Sequence, residues 1–537
     1  MSSFPWLTTL GVVPLVGSAA VAVVAKEKSD AAKKIALTFS VATLGIGIAM
    51  ATQFKKGGDR FQFTEKHQWI KAFNIDYGLG VDGIALVLIL MTLVLMPVVL
   101  LAGWNDADEA QADGRRSVRA YFSLYLLLET MMIGVFAATD LFLFYVFFEA
   151  MLIPMYFLIG GFGGPQRSYA AVKFLLYSLF GGLFMLAALI GLYVASGKSL
   201  GTGTFDFQTL ADAVAHDGLG ISPGLGKALF LGFFVAFAVK APLFPFHTWL
   251  PDAAAEATPG SAVLLVGVLD KVGTFGMLRY CLELFPGASK FFTPLVIGMA
   301  IVGTMYGALL AIGQTDIKRL IAYTSISHFG LITLGVFAMT STGQSGASLY
   351  MVNHGLSTGA LFIVAGFLIS RRGSQLIDDY GGVNKVAPKL AGVFLIAGLS
   401  SLALPGLSSF VSEFLVLVGT FERYKAVAIV ATTAIILAAL YVLWLYQRTM
   451  TGPLKAGLEG MKDLRAREVV AVAPLIALII GLGFYPKPVL DVVNPSVNTT
   501  LQHVQKQDPA PAVNATQILE KTQTSEKTQT SEKVDSK

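Results

Sequence analysis

Apolar runs of about 20 residues, each long enough to cross a hydrocarbon core of about 30 Å, recur along most of this 537-residue chain. A single water-soluble core cannot hold so many of them. Charged residues make up 14% of the sequence, against about 25% in a soluble domain, and 55% of residues are hydrophobic. Lipid offers backbone amides no hydrogen-bond partner, so each run must satisfy its own, which predicts helices. The expected fold class is therefore an all-α polytopic membrane protein. A window of about 19 residues gives about fourteen transmembrane helices. They fall near 4–24, 33–53, 82–103, 117–137, 139–160, 170–195 and 226–249, then 258–282, 291–313, 317–338, 347–370, 388–423, 426–450 and 468–490.

Three spans fill 1–116, five fill 117–282, five fill 291–450, and 451–499 holds the last. The tail, 500–537, is polar and repeats EKTQTS at 520–525 and 526–531; it is expected to be disordered. Residues 205–217 place Phe205, Leu210 and Val214 at helical spacing, as a short interfacial helix would. The net charge of +5 does not point to nucleic acid, because the basic residues sit in connections between apolar runs. By the positive-inside rule, the loops carrying Lys26 to Lys34, Arg115/Arg116/Arg119, Arg167, Lys318/Arg319, Arg371 to Lys389 and Lys455 to Arg467 face the cytoplasm. Both termini then lie outside a bacterial plasma membrane, although the loop at 54–75 is basic too. The first run has no basic leader before it and reads as a retained helix.

An ionisable group at mid-membrane costs at least about 2.5–3.5 kcal/mol, so each one kept there needs a partner, a water cavity or a function. Glu149 stands inside LFLFYVFFEAMLIPMYFLIG, Lys240 ends LFLGFFVAFAV, and Lys271 lies inside AVLLVGVLDKVGTFGML. Glu413 lies in LSSFVSEFLVLVG, and Glu129, His328 and His354 complete the set. After Lys240, Pro242 and Pro245 each remove an amide donor and must break the helix. Pro405 and Gly406 write a second break before Glu413. Each break falls in the fourth span of its block of five, and paired interrupted helices mark an ion pathway. Lysines and carboxylates that can exchange protons suit a relay better than arginine, which stays charged. A Glu149–Lys240 pair at about 4 Å would be coupled by about 4 kcal/mol at an effective dielectric of 20.

The stretch KAPLFPFHTWLPDAAAEATPGSAVLLVGVLDKVGTFGMLRY, with TDLFLFYVFFEAMLIPMYFLIG, DIKRLIAYTSISHFG and NHGLSTGALFIVAG, resembles the antiporter-like subunits of respiratory complex I and of multisubunit cation/proton antiporters. The resemblance runs from about residue 75 to 490. It implies two inverted five-helix repeats around a buried polar axis, with proton translocation driven from partner subunits. By motif, Glu149 and Lys240 match the coupling pair, and Lys271, His328 and His354 match the central relay. Glu413 matches the exit-side residue, a lysine in the sister subunits. NADH, FMN, iron–sulfur clusters and quinone are then expected on partner subunits, with neighbouring antiporter-like subunits, lipid, water and protons as this chain's own partners. Two departures stand out: Ala254 replaces the family's usual histidine, and 257–259 reads ATP where Ala-Pro-Thr is usual.

Plainer readings stand beside these. The buried charges can be pairs that only fix helix packing. His328 and His354 can be simple hydrogen-bonding groups, and His247 reads as structural. Glu129 can snorkel or face a neighbouring subunit. Asp316, Lys318 and Arg319 read as a solvated helix start. The single cysteine, Cys281, excludes an internal disulfide or a CxxC centre, and neither a nucleotide-binding fingerprint nor metal-ligand spacing is present. A subunit of a sodium/proton antiporter is the alternative transporter, and an assembly scaffold is the alternative from another class.

Overall fold

The computed structural model describes residues 4–216 and 218–509. Among the described residues twelve helices are long and apolar enough to cross a membrane, and two shorter apolar ones, Trp6–Ala22 and Pro388–Ser401, complete the expected set. In chain order, α1 is Trp6–Ala22, α2 Ser29–Thr52, α3 Gly83–Ala102, α4 Val118–Ala137, α5 Leu141–Phe162, α6 Arg167–Leu200 and α7 Phe207–Ala215. Then come α8 Pro223–Lys240, α9 Trp249–Glu256, α10 Pro259–Leu282, α11 Pro286–Ile312, α12 Ile317–Ala338 and α13 Ser341–Arg372. The last are α14 Pro388–Ser401, α15 Ser408–Arg423, α16 Lys425–Met450, α17 Ala466–Phe484 and α18 Lys487–Val504.

The helices sort by what covers them. Along α6, Leu176, Phe180 and Leu183 are exposed at one-turn spacing, as a lipid-facing stripe requires. By contrast, the most apolar stretch of α10 is entirely buried, and α12 and α13 are nearly so. These three inner helices carry Lys271, His328 and His354.

Residues 54–75, read from sequence as a basic loop, instead run into an antiparallel hairpin of β1 Gln62–Ile70 and β2 Ile75–Val81, with His67 opposite Tyr77. The polar tail begins later than position 500. Its first residues belong to α18, which buries Val493, Val497, Thr500, Leu501 and Val504 at helical spacing against the bundle. The tandem EKTQTS repeat lies outside the described residues. The interfacial helix at 205–217 forms as α7, capped by Asp206, whose carboxylate accepts from the N–H of Thr209 at 2.8 Å; position 217 lies outside the described residues.

Both predicted breaks are present. Between α8 and α9 the chain turns through 241–248, and Trp249 Nε1 donates to the Val239 carbonyl at 2.9 Å, satisfying an acceptor the helix can no longer use. Between α14 and α15, Ala403 at φ 59° and Gly406 at φ 92° reverse the chain around Pro405. An alanine in the left-handed region is strained, and it sits here one turn from the buried end of α14.

Candidate functional site

The site begins at the first break. Lys240, the last residue of α8, is 1% exposed and its ammonium makes no hydrogen bond. It lies 4.9 Å from the Phe148 ring centroid and 5.7 Å from that of Phe174, so aromatic faces solvate the charge. Glu149, one residue along from Phe148 on α5, feels the lysine's charge. The two make no hydrogen bond with each other. Glu149 Oε1 is packed against Gly182 of α6, where an added Cβ would collide with it, and neither carboxylate oxygen has a hydrogen-bond partner. Phenylalanine rings line the lysine side of the pair and a glycine notch the glutamate side.

On α10, two π-helical segments, Leu265–Leu269 and Met277–Leu282, flank Lys271. A π turn widens the helix and frees a carbonyl from its usual donor. Lys271 Nζ uses one, donating to the Val266 carbonyl at 2.5 Å, and lies 2.6 Å from His354 Nδ1 on α13. The His354 and His328 rings are 5.3 Å apart, edge to face, and His328 lies 5.8 Å from the Tyr350 ring. Tyr350 donates its hydroxyl to Glu413 Oε2 at 3.0 Å. A row of polar side chains thus runs from Lys271 through His354, His328 and Tyr350 to Glu413, which sits on α15 just past the second break. Asn353 pins that break by donating to the Ser408 carbonyl at 2.7 Å.

Sequence reasoning passed over two members of this region. Tyr350 bridges the histidines to Glu413. Asp270, adjacent to Lys271, is fully buried with both carboxylate oxygens free of hydrogen bonds. A second ionisable residue inside the apolar run VGVLDKVG was the available signal.

Other candidates lie apart from the row. Glu129 on α4 is fully buried, and neither of its oxygens is hydrogen-bonded. His247 stacks on Phe244 and meets Tyr306 edge-on, consistent with a structural role. Lys318, expected to be solvated, is 6% exposed, because its ammonium reaches the Ala257 carbonyl at 2.9 Å, left free where α9 ends. Asp316 caps α12 through the N–H of Arg319 at 2.9 Å. Among the described residues no cluster of histidine, cysteine and carboxylate side chains could hold a metal ion.

At the start of α10 a cavity of about 420 Å³ is lined by Asp106, Gly260, Arg371, Arg467 and Glu468, among others. Burial pushes the Asp106 carboxyl, in the loop after α3, up to about 6 despite the nearby cations of Arg467 and Lys318. Beneath it the hydroxyls of Tyr121, Tyr125, Ser261 and Thr258 close a ring with sides of 2.8–2.9 Å. Gly260 makes room for it, since a Cβ there would lie 2.9 Å from the Tyr125 hydroxyl.

A membrane bundle with two interrupted helices and a buried, protonatable row between them defines a class, the polytopic ion-translocating membrane subunits. The chain belongs to the NADH:quinone oxidoreductase/Mrp antiporter transmembrane family, whose model matches residues 138–438. It is 56% identical to the NADH-quinone oxidoreductase subunit M of Mycobacterium tuberculosis, over 96% of this chain and 97% of that protein. It is 38% identical to the NADH-ubiquinone oxidoreductase chain 4 of Arabidopsis thaliana, over 93% and 97% of the two. A chain of the solved respiratory complex I from Thermus thermophilus superposes with a TM-score of 0.82 at 30% identity, over 93% of this chain and 99% of that one. A chain of the Mrp complex from Dietzia shares the fold, with a TM-score of 0.79 at 20% identity over 94% and 99%. Within the family, the likeness is to subunit M.

Proposed function

We propose that this chain is a proton-translocating membrane-arm subunit of an NADH:quinone oxidoreductase, and that Glu149, Lys240, Lys271, His328, His354 and Glu413 carry the proton. The observation that supports this reading is the row of near-contacts from Lys271 to Glu413, held between two helix breaks inside the bundle. Lys240, which makes no hydrogen bond among the described residues and feels the charge of Glu149, is the group that a neighbouring subunit can displace. Bringing two such charges to about 4 Å in a medium of effective dielectric 20 changes their interaction by about 4 kcal/mol. Moving one charge against 100 mV takes about 2.3 kcal/mol, so one switching pair is strong enough.

In the cycle, the approach of Lys240 to Lys271 raises the repulsion on the protonated Lys271. Its proton then passes to His354 Nδ1, the N–H bond at Nζ breaking as the one on the imidazole forms. Reorientation of His328 and of the Tyr350 hydroxyl hands a proton on to Glu413, which releases it at the second break. Glu129 is a possible further station on α4, outside this row. Electrons travel elsewhere, with NADH, FMN, iron–sulfur clusters and quinone on partner subunits. Neighbouring antiporter-like subunits of the membrane arm supply the push. The two blocks of five helices act as inverted repeats around the row. The membrane is the bacterial plasma membrane, with both termini on the outer side.

Complexes carrying Lys240→Ala or Glu413→Ala test the reading. Both are expected to assemble and keep NADH oxidation by an artificial acceptor, while NADH-driven proton uptake through quinone reduction falls at least tenfold. Unchanged proton uptake in both ends the assignment.

A further inference from the structure

Three observations converge on Asp270. Its carboxylate is fully buried in the stretch of α10 that is itself wholly covered, and neither oxygen accepts a hydrogen bond from any described residue. Such a group is costly to retain unless charges nearby use it. Two ammonium groups lie within its electrostatic reach, those of Lys271 and Lys240. The backbone geometry explains how both can do so. Gly273, three residues on and therefore on the same face of α10 as Asp270, packs so closely on the end of α8 that an added Cβ would lie 2.5 Å from the Phe237 carbonyl oxygen and 2.6 Å from the Ala241 nitrogen. Gly276 continues that contact against the Phe237 ring. Asp270 thus lies on the face of α10 turned toward the break beside Lys240, while Lys271, its neighbour in sequence, reaches His354 on α13.

Lys240 therefore has a carboxylate on either side, Glu149 on α5 and Asp270 on α10, and makes a contact ion pair with neither. The uncharged rings of Phe148 and Phe174 also face its ammonium. We propose that Asp270 is the second stop of a two-position switch, a positioning residue whose carboxylate takes the Lys240 ammonium when Glu149 releases it. This rests on the proton-translocating reading above and adds a residue to it.

The device works by competition. While Lys240 stays toward Glu149, the Asp270 charge is available to stabilise protonated Lys271. When Lys240 swings toward Asp270, that stabilisation is shared and the two ammonium groups approach. Lys271 then gives its proton to His354 Nδ1, its N–H bond breaking as the imidazole N–H forms and the positive charge moving with the proton. Return of Lys240 to Glu149 frees Asp270, and Lys271 takes up the next proton. Without Asp270, Lys240 has no reason to leave Glu149 for an apolar interior.

The test uses the whole respiratory complex in inside-out membranes, with NADH oxidation by ferricyanide as the measure of assembly. Asp270→Asn is expected to keep ferricyanide activity and lose at least tenfold of quinone-coupled proton uptake, and Asp270→Glu, which keeps the carboxylate, to recover a substantial part. Combining Asp270→Asn with Lys240→Ala should lose clearly less than the two single losses multiplied together, because the aspartate acts in large part through the lysine; a merely structural counter-ion would give additive losses. Native proton uptake in Asp270→Asn, or additive losses in the double variant, overturns the proposal. Should the asparagine variant fail to assemble, Asp270→Glu decides: assembly with partial coupling supports the switch, and a second assembly failure overturns it in favour of a structural charge. The reading beneath stands or falls separately. If Lys240→Ala and Glu413→Ala abolish uptake while Asp270→Asn does not, only the second stop is lost; if none of the three does, the relay itself is wrong.

Discussion

At the scale of single residues, the row depends on groups whose burial has been met by a specific neighbour. Tyr350 is the clearest case, since its hydroxyl is the one side-chain donor hydrogen-bonded to Glu413 among the described residues. Tyr350→Phe removes that oxygen with almost no change in volume. It is expected to slow quinone-coupled proton uptake by about tenfold or more, a typical size for the loss of a positioned proton donor, while the complex still assembles and reduces ferricyanide. Uptake at the native rate would show that water, not the phenol, joins His328 to Glu413. The residues that were legible in the sequence are the ones that an apolar run makes conspicuous: Glu149, Lys240, Lys271 and Glu413 each interrupt one. Tyr350 was not conspicuous, because tyrosine is common in helices of every kind. Asp270 was hidden differently. Beside a lysine in the string it reads as a local ion pair, yet adjacent helical residues point about 100° apart, and only the packing at Gly273 reveals where the carboxylate faces.

Among the elements, proline and glycine did most of the writing. Pro242, Pro245, Pro405 and Gly406 announced both breaks, and the chain turns at each of them. The hairpin 62–81 was missed because β1 is mostly polar and part-exposed, while the alternation of Ile75, Tyr77, Leu79 and Val81 in the buried β2 runs almost directly into the apolar run of α3. The sequence places one span over 468–490, but α17 ends at Phe484 and α18 follows as a separate helix, missed because its burial comes from a stripe of valine, serine, threonine and leucine and not from overall apolarity. Element ends also show how loops hold helices in place. Asp463, in the connection after α16, caps α14 from a distance, accepting from the N–H groups of Lys389 and Leu390 at 2.9 Å each. Partial burial works against its charge, but the backbone donors of Lys389, Leu464 and Leu390, with the Lys389 cation, hold its carboxyl below the usual range. Its stabilising contribution is therefore complete above the ordinary carboxylate range and is lost as pH falls through the lower folded value. Asp463→Ala should destabilise this half of the bundle by about 1–2 kcal/mol at neutral pH, as loss of a helix cap does, and thermal unfolding of the purified complex would register it. An unchanged midpoint would mean that water replaces the cap without cost.

Across the molecule, distant parts of the chain meet at one carboxylate. Glu283, just beyond α10, is ion-paired to Arg60 before the hairpin at 2.5 Å and accepts from Thr500 of α18 at 2.8 Å, with His503 at 3.5 Å. Nearby, Ser496 of α18 accepts from the N–H of Gly83 at the head of α3. This clasp ties the hairpin, the relay helix and the last helix together. Breaking a wholly dry ion pair costs about 3–5 kcal/mol; Arg60 is 17% exposed, so Glu283→Gln should cost about 2–3 kcal/mol. Limited proteolysis should then release the segment after α17 sooner than in the native complex, and equal cleavage rates would deny the clasp this role.

The two π segments on either side of Lys271 have one more consequence. A wide turn carries a surplus residue, and if such a bulge slides by one position, the residue it passes rotates by roughly 100° while the helix on either side keeps its register. With one such turn before Lys271 and one after it, a shift of either bulge would re-aim side chains in the middle of α10 without moving its ends.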